Sequence, residues 1–228
     1  MNKRNYQKKL ERILEQIQKS PVTGREEQAA DSLVPTLFLH SCCAPCSSYV
    51  LKYLRTHFAI TVFYYNPNIS EQEEYGKRVE EQKRLIAVYN ETAGRDGAHP
   101  IKIVEGDYAP EEFFKVAAPY KDCPEGGERC FLCYELRLRR TAELAAEGGY
   151  NYFGTTLTIS PLKNAEKLNE IGFALAEEFG VKWLPSDFKK KEGYKQSIEL
   201  SARYGLYRQD YCGCAYSKAE RERQKQGR

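Results

Sequence analysis

Five short apolar runs, each separated from the next by a stretch with helical spacing, restrict the fold of this chain more than any other feature. The runs are 36–40 (TLFLH), 59–65 (AITVFYY), 101–104 (IKIV), 150–156 (YNYFGTT) and 181–184 (VKWL). They are short and apolar without a regular polar alternation, so they read as strands of a parallel sheet buried on both faces. Between them lie a helical pattern through Val50, Leu51, Leu54 and Phe58 and a long helix to about Asn90. Two pieces follow near 110–117 and 131–147, then a helix ending at Glu178 before Gly180. Ser70 with Glu73 reads as a capping box for the long helix, Ser160-Pro161 as N-cap and N1 of the last, and Pro45 as N1 of the first. Right-handed crossovers then give an α/β, doubly wound, mostly parallel five-stranded sheet. In such a sheet the ligand site lies beyond the carboxyl ends of the strands. SCCAPC follows strand one, TTLTISP strand four and PSDFKKK strand five, so all three should border one crevice.

The chain of 228 residues suits one large domain with trimmings. Residues 3–18 have an amphipathic stripe of Tyr6, Leu10, Ile13, Leu14 and Ile17, and KSPVTGREEQAADS reads as a linker. The expected division is 1–34, N-terminal helix and linker; 35–217, a single α/β catalytic domain; and 218–228, a basic C-terminal tail. No apolar run approaches the roughly 18 residues needed to span a membrane. The N-terminus has the charges of a signal peptide without its apolar region, so the expectation is a cytoplasmic protein with no membrane partner. A monomer is expected.

Charge alone does not point to nucleic acid, because 35 basic residues face 32 acidic ones. Its distribution is more telling: basic excess collects in 1–19, in Lys189-Lys190-Lys191 and in 218–228. Such runs are usually solvated faces, and they also suit a polyanion.

The eight cysteines carry the functional signal. A disulfide scaffold does not suit a chain of this length without an export signal, which leaves metal binding, redox chemistry or nucleophilic catalysis. Cys42, Cys43 and Cys46 sit at a strand-to-helix turn, where a helix N-terminus favours thiolate, both ligand and nucleophile. Cys130 and Cys133, with Cys123 upstream, have the CxxC spacing that lets two sulfurs face one metal. Cys43, Cys46, Cys130 and Cys133 would equally make a structural zinc site. Cys212-Gly213-Cys214 can close a small, strained and therefore labile disulfide, or supply two more metal ligands. A metal cluster beside a dithiol is an arrangement for a two-electron reduction. No GxGxxG follows a strand and no GxxxxGK[ST] is present, so neither a Rossmann dinucleotide site nor P-loop ATP use is signalled.

Together HSCCAPC (40–46), CFLCYELRL (130–138), FGTTLTISPLKN (153–164), SDFKKKEGYKQS (186–197) and YRQDYCGCAYS (207–217) resemble the QueH family of epoxyqueuosine reductases. The resemblance covers about residues 36–217. It implies a fold like the HUP class of α/β domains and the last step of queuosine biosynthesis. In that step the epoxide of epoxyqueuosine, at the wobble position of tRNA, is reduced to an alkene without cobalamin. It implies a 4Fe–4S cluster on Cys42, Cys43, Cys130 and Cys133, a redox-active pair in Cys212 and Cys214, and an electron donor that the sequence does not name. For an additional iron, the candidate ligands are Cys46, Asp122 and Cys123. His40, Asp187 and Tyr211 are candidates for a general acid, although His40 at a strand end equally suits a hydrogen-bonded core position. Lys163, Lys189, Lys190, Lys191 and Arg208 are candidate phosphate contacts on the rim. Two rival classes fit parts of the pattern. A tRNA sulfur-transfer enzyme should carry an ATP phosphate loop, which SCCAPCSS matches poorly. A zinc-stabilised RNA-binding module would hold zinc and no sulfide.

Overall fold

The computed structural model describes residues 5–19, 34–95 and 97–227; the linker expected after the N-terminal helix lies almost wholly outside them. Five strands form one parallel sheet: β1 (Thr36–His40), β2 (Ala59–Tyr64), β3 (Lys102–Glu105), β4 (Tyr152–Thr155) and β5 (Lys182–Trp183). Their order is β3-β2-β1-β4-β5, with register fixed by pairs such as Leu37 with Ile60 and Phe38 with Phe153. The order reverses between β1 and β4, and the crevice at that point is where doubly wound sheets bind ligands.

The eight helices of the described residues are α1 (Tyr6–Lys19), α2 (Ala44–Leu54), α3 (Gln72–Asn90), α4 (Pro110–Ala117), α5 (Glu128–Glu147), α6 (Ala165–Phe179), α7 (Gly193–Arg203) and α8 (Ala215–Gln226). The period-2 alternation of strand side chains divides them into two layers. Leu37, Leu39, Ile60 and Val62 pack with Val50 and Leu54 of α2, Leu85 of α3 and Leu200 of α7. Phe38, Phe63 and Phe153 face the other way, onto Leu138 and Ala142 of α5 and Leu168 and Ile171 of α6. Helix α1 joins the first layer through Leu10 and Leu14, with Ile13 and Ile17 half-buried beside them.

Five local expectations change. The run 101–104 was expected to be buried on both faces, but β3 is an edge strand, with Val104 44% exposed. Helix α3 begins at Gln72 with Glu71 as N-cap and no side-chain cap. The Ser70 hydroxyl accepts instead from the Ala215 backbone N–H (2.8 Å), at the start of α8. Helix α6 begins at Ala165, five residues beyond Ser160, because Asn164 accepts from the Lys167 N–H and takes the N-cap position. Residues 218–226 of the basic tail are part of α8, whose N-cap is Cys214: its sulfur accepts from the Ser217 N–H (3.3 Å). Pro45, for its part, is the second residue of α2, one place later than expected.

Candidate active site

The turn after β1 is built by buried hydroxyls. Ser41 donates to Gln82 Oε1 (2.8 Å), Ser47 to the Cys43 carbonyl (2.9 Å) and Ser48 to the Pro45 carbonyl (2.9 Å). The Cys42 N–H reaches Thr156 Oγ1 (3.4 Å) in the loop after β4. With the turn so fixed, the sulfurs of Cys42, Cys43 and Cys46 lie within 4.8 Å of one another, those of Cys42 and Cys43 at 3.8 Å. The Cys43 pKa is held well below the usual thiol range, first by its contacts with the Cys42 and Cys46 sulfurs and further by the Cys46 N–H and the Arg78 charge. Correspondingly, Cys42 is pushed up to about 11 by its bond to Cys43, and Cys46 well above the usual range by its bonds to both neighbours.

These cysteines line a cavity of about 340 Å³ together with Arg78, Arg137, Lys163, Tyr211 and Cys212. A smaller pocket adjoins it, lined by Cys130 and Cys133 from the first two turns of α5 and by Cys212 and Cys214. Cys212, Glu125, Arg137 and Lys163 line both. All of the cysteines except Cys123 therefore meet at two adjoining cavities. Cys123 and Asp122 border a separate surface pocket beside Arg129 and Tyr216, apart from Cys46. Burial pushes the Cys133 thiol up to about 11 and the Cys214 thiol to about 12. All eight thiols are free.

The CGC segment is pinned from several sides. Arg78 Nη1 donates to the Cys212 carbonyl (3.1 Å), the Cys212 N–H to Ser217 Oγ (3.1 Å) and the Ser70 N–H to the Gly213 carbonyl (3.1 Å). Gly213 has φ of +111°, and a Cβ there would lie 2.9 Å from Ile69 Cγ1, so no other residue suits the position. Lys163 Nζ lies 3.3 Å from Cys212 Sγ and 3.0 Å from Glu125 Oε1. Burial works to lower the Lys163 pKa, but the fields of Cys212 and Glu125 outweigh it and the ammonium stays charged.

The remaining sequence candidates now separate. His40 is a core residue: Nε2 donates to the Tyr65 carbonyl (3.1 Å), Nδ1 accepts from Thr155 Oγ1 (2.9 Å), and burial pushes its pKa down to about 3. It is neutral and has no proton to give. Asp187 is paired with Lys189 at 3.0 Å. Tyr211 lines the larger cavity, under the Arg78 guanidinium at 5.3 Å; burial raises its pKa, so it keeps its O–H. Lys163, expected on the rim, is instead only 9% exposed because the 209–217 segment folds over it. Lys191 pairs with Glu11 of α1, Lys190 is exposed, and Arg208 lines the cavity. Sequence reasoning missed Arg78, Arg137 and Glu125. The signal for Arg137 was present: it lies four residues after Cys133, on the same helix face.

A parallel α/β sheet whose carboxyl edge gathers seven cysteines and three buried cations defines the class, an α/β protein with a cysteine-lined site. The family model Epoxyqueuosine reductase QueH matches residues 37–220. A protein of that name from Staphylococcus epidermidis is 40% identical over 215 residues, 93% of this chain and 84% of that protein. One from Streptococcus pyogenes serotype M1 is 40% identical, covering 82% of this chain and 72% of that protein. One from Thermotoga maritima is 35% identical, covering 82% and 92%. The chain belongs to the QueH family of epoxyqueuosine reductases, oxidoreductases of queuosine biosynthesis.

Proposed function

We propose that this chain reduces epoxyqueuosine in tRNA to queuosine, without cobalamin, using an iron–sulfur cluster and the Cys212/Cys214 pair. The observation that carries the reading is the convergence of seven cysteines on two adjoining cavities, with Cys212 on the wall of both. A cavity of about 340 Å³ is within the size range of small-molecule sites. It suits the modified head group, the rest of the tRNA lying outside.

The donor set fits a 4Fe–4S cluster. Thiolate sulfur is its ordinary ligand, the Cys43 pKa is held low, and Cys130 and Cys133 line the adjoining pocket. Cys42, Cys43, Cys130 and Cys133 would hold it, with Cys46 available to an additional iron. When bound, such a cluster supplies one-electron transfer and Lewis acidity. The chain's own residues account for the rest. Converting an epoxide to an alkene and water takes two electrons and two protons. Two thiols that close to one disulfide release two electrons and two protons, so oxidising Cys212 and Cys214 balances the reaction. An external reductant must then reopen the disulfide. Tyr211, protonated and on the cavity wall, is the one of the three sequence candidates for a general acid that lines the cavity.

Binding of the tRNA is expected to be carried by phosphate contacts from exposed cations such as Lys190 and from Arg208. Filter-binding or anisotropy measurements should then show affinity falling by roughly tenfold or more between about 50 and 200 mM salt. Lys190→Glu should weaken binding and leave iron content unchanged. An affinity indifferent to salt would remove tRNA from the proposal. The catalytic test is direct: anaerobic incubation with tRNA carrying epoxyqueuosine, followed by nucleoside analysis.

A further inference from the structure

Three cations are buried against the cysteine cavities, and two of them have a carboxylate partner. Arg78, 2% exposed, is paired with Glu74 at 2.7 Å. Lys163 is paired with Glu125 at 3.0 Å. Arg137 is different. It is 1% exposed, and no carboxylate among the described residues pairs with it. Its Nε donates to the Cys133 carbonyl (3.1 Å) and its Nη1 to Asn66 Oδ1 (3.4 Å), both neutral acceptors. Its Nη2 is buried and has no partner at all. A buried guanidinium with neither counter-charge nor a full set of acceptors costs several kcal/mol.

Position explains what the missing partner is. Arg137 lines both cavities, between the Cys42/Cys43/Cys46 group and the Cys130/Cys133/Cys212 group. The groups that would face its charge when ionised or metal-bound are Cys42, Cys133 and Cys212, which line the same two cavities. The CxxC helix itself supplies the residue, since Arg137 follows Cys133 by one turn and so tracks any group that Cys133 holds.

We infer that Arg137 is a positioning residue of the cysteine-held centre, its guanidinium compensating the centre's negative charge and its Nη2 donating to an acceptor bound between the two cysteine groups. This rests on the cluster reading proposed above. A positive charge beside a cluster favours its reduced, more negative state, and a hydrogen bond to a cluster sulfur acts in the same direction. Arg137 would thus set how readily electrons enter the centre and how tightly it is kept.

The test compares anaerobically purified full-length chain with Arg137→Met, Arg137→Gln and Arg137→Lys. Three quantities are read: reduction potential by EPR-monitored titration, rate of iron loss to a chelator, and melting temperature of the loaded and the stripped protein. Removing an outer-sphere partner of a metal ligand lowers metal retention by about 10–100-fold. Arg137→Met and Arg137→Gln should therefore lose iron at least about tenfold faster and show a lower potential. The stripped variants should melt no lower than the stripped parent, because an uncompensated charge is gone. Arg137→Lys, which keeps the charge, should retain most of the parent potential. Full iron and sulfide with unchanged potential and iron-loss rate in Arg137→Met and Arg137→Gln would overturn the inference alone. So would stripped variants that melt well below the stripped parent, since Arg137 would then serve the fold. A parent chain that holds no iron and no sulfide would overturn both this and the cluster reading.

Discussion

Cys43→Ala should leave the anaerobically purified chain with almost no iron or acid-labile sulfide. Cys43 is 3% exposed, and Cys42, Cys46 and Arg78 hold its pKa well below the usual thiol range. Its loss leaves three of the four proposed ligands, Cys42, Cys130 and Cys133, and removes the one whose pKa is held lowest. Cys133→Ala should act on both binding and fold. The side chain is 6% exposed and packs with Phe113, Ala117 and Cys214. Removing its sulfur costs about 1–2 kcal/mol of packing, and losing a group that binds only the folded state adds to this. At about 2–4 °C per kcal/mol for a chain of this size, the melting temperature should fall by at least several degrees. Iron, sulfide and a thermal melt check both variants. Full iron in Cys43→Ala would remove this cysteine from the centre.

Replacing Cys212 or Cys214 with serine should have the opposite profile: iron, sulfide and tRNA affinity near normal, and multiple turnover abolished. The serine hydroxyl keeps the size and the hydrogen-bonding ability of the side chain but cannot be oxidised to a disulfide. The backbone contacts stay in place, from the Cys212 carbonyl to Arg78, the Cys212 N–H to Ser217 and the Gly213 carbonyl to Ser70, and a serine hydroxyl can still accept from Lys163 at position 212 and from the Ser217 N–H at position 214. At most, one stored reduction per chain should be lost from the pair, and a strong chemical reductant should restore part of the rate by another route. Iron per chain beside turnover by nucleoside analysis separates the outcomes. Loss of iron in both variants would make the pair ligands. Unchanged turnover would make it a bystander.

The parallel sheet was legible because the strands at its centre carry period-2 apolar residues that meet a helix layer on either face. The edges were less so. IKIV has the composition of a buried strand, and only its place at the end of the sheet leaves Val104 in solvent. The cysteine groups were legible from spacing, Cys42, Cys43 and Cys46 among them; that Cys212 would line the wall of both cavities was not, because the chain fold and not spacing brings it there. Local signals failed where a distant segment took the group. Ser70 looked like a cap and serves α8, and Lys163 looked like a rim cation and lies under the CGC segment. His40 left two readings open in sequence, and the hydrogen-bond partners on both of its ring nitrogens, Thr155 donating and the Tyr65 carbonyl accepting, decide for the core.

The central claim is that this cysteine-lined site reduces an epoxide with electrons held on the chain. Its most direct test is one anaerobic reaction: purified chain with measured iron and sulfide, a reductant, and tRNA carrying epoxyqueuosine. The nucleosides are then resolved by mass spectrometry. The account prediction is queuosine, lighter by one oxygen atom, formed in multiple turnovers by the parent chain and not by Cys212→Ser of equal iron content. Unchanged epoxyqueuosine in the presence of full iron, sulfide and reductant would contradict it.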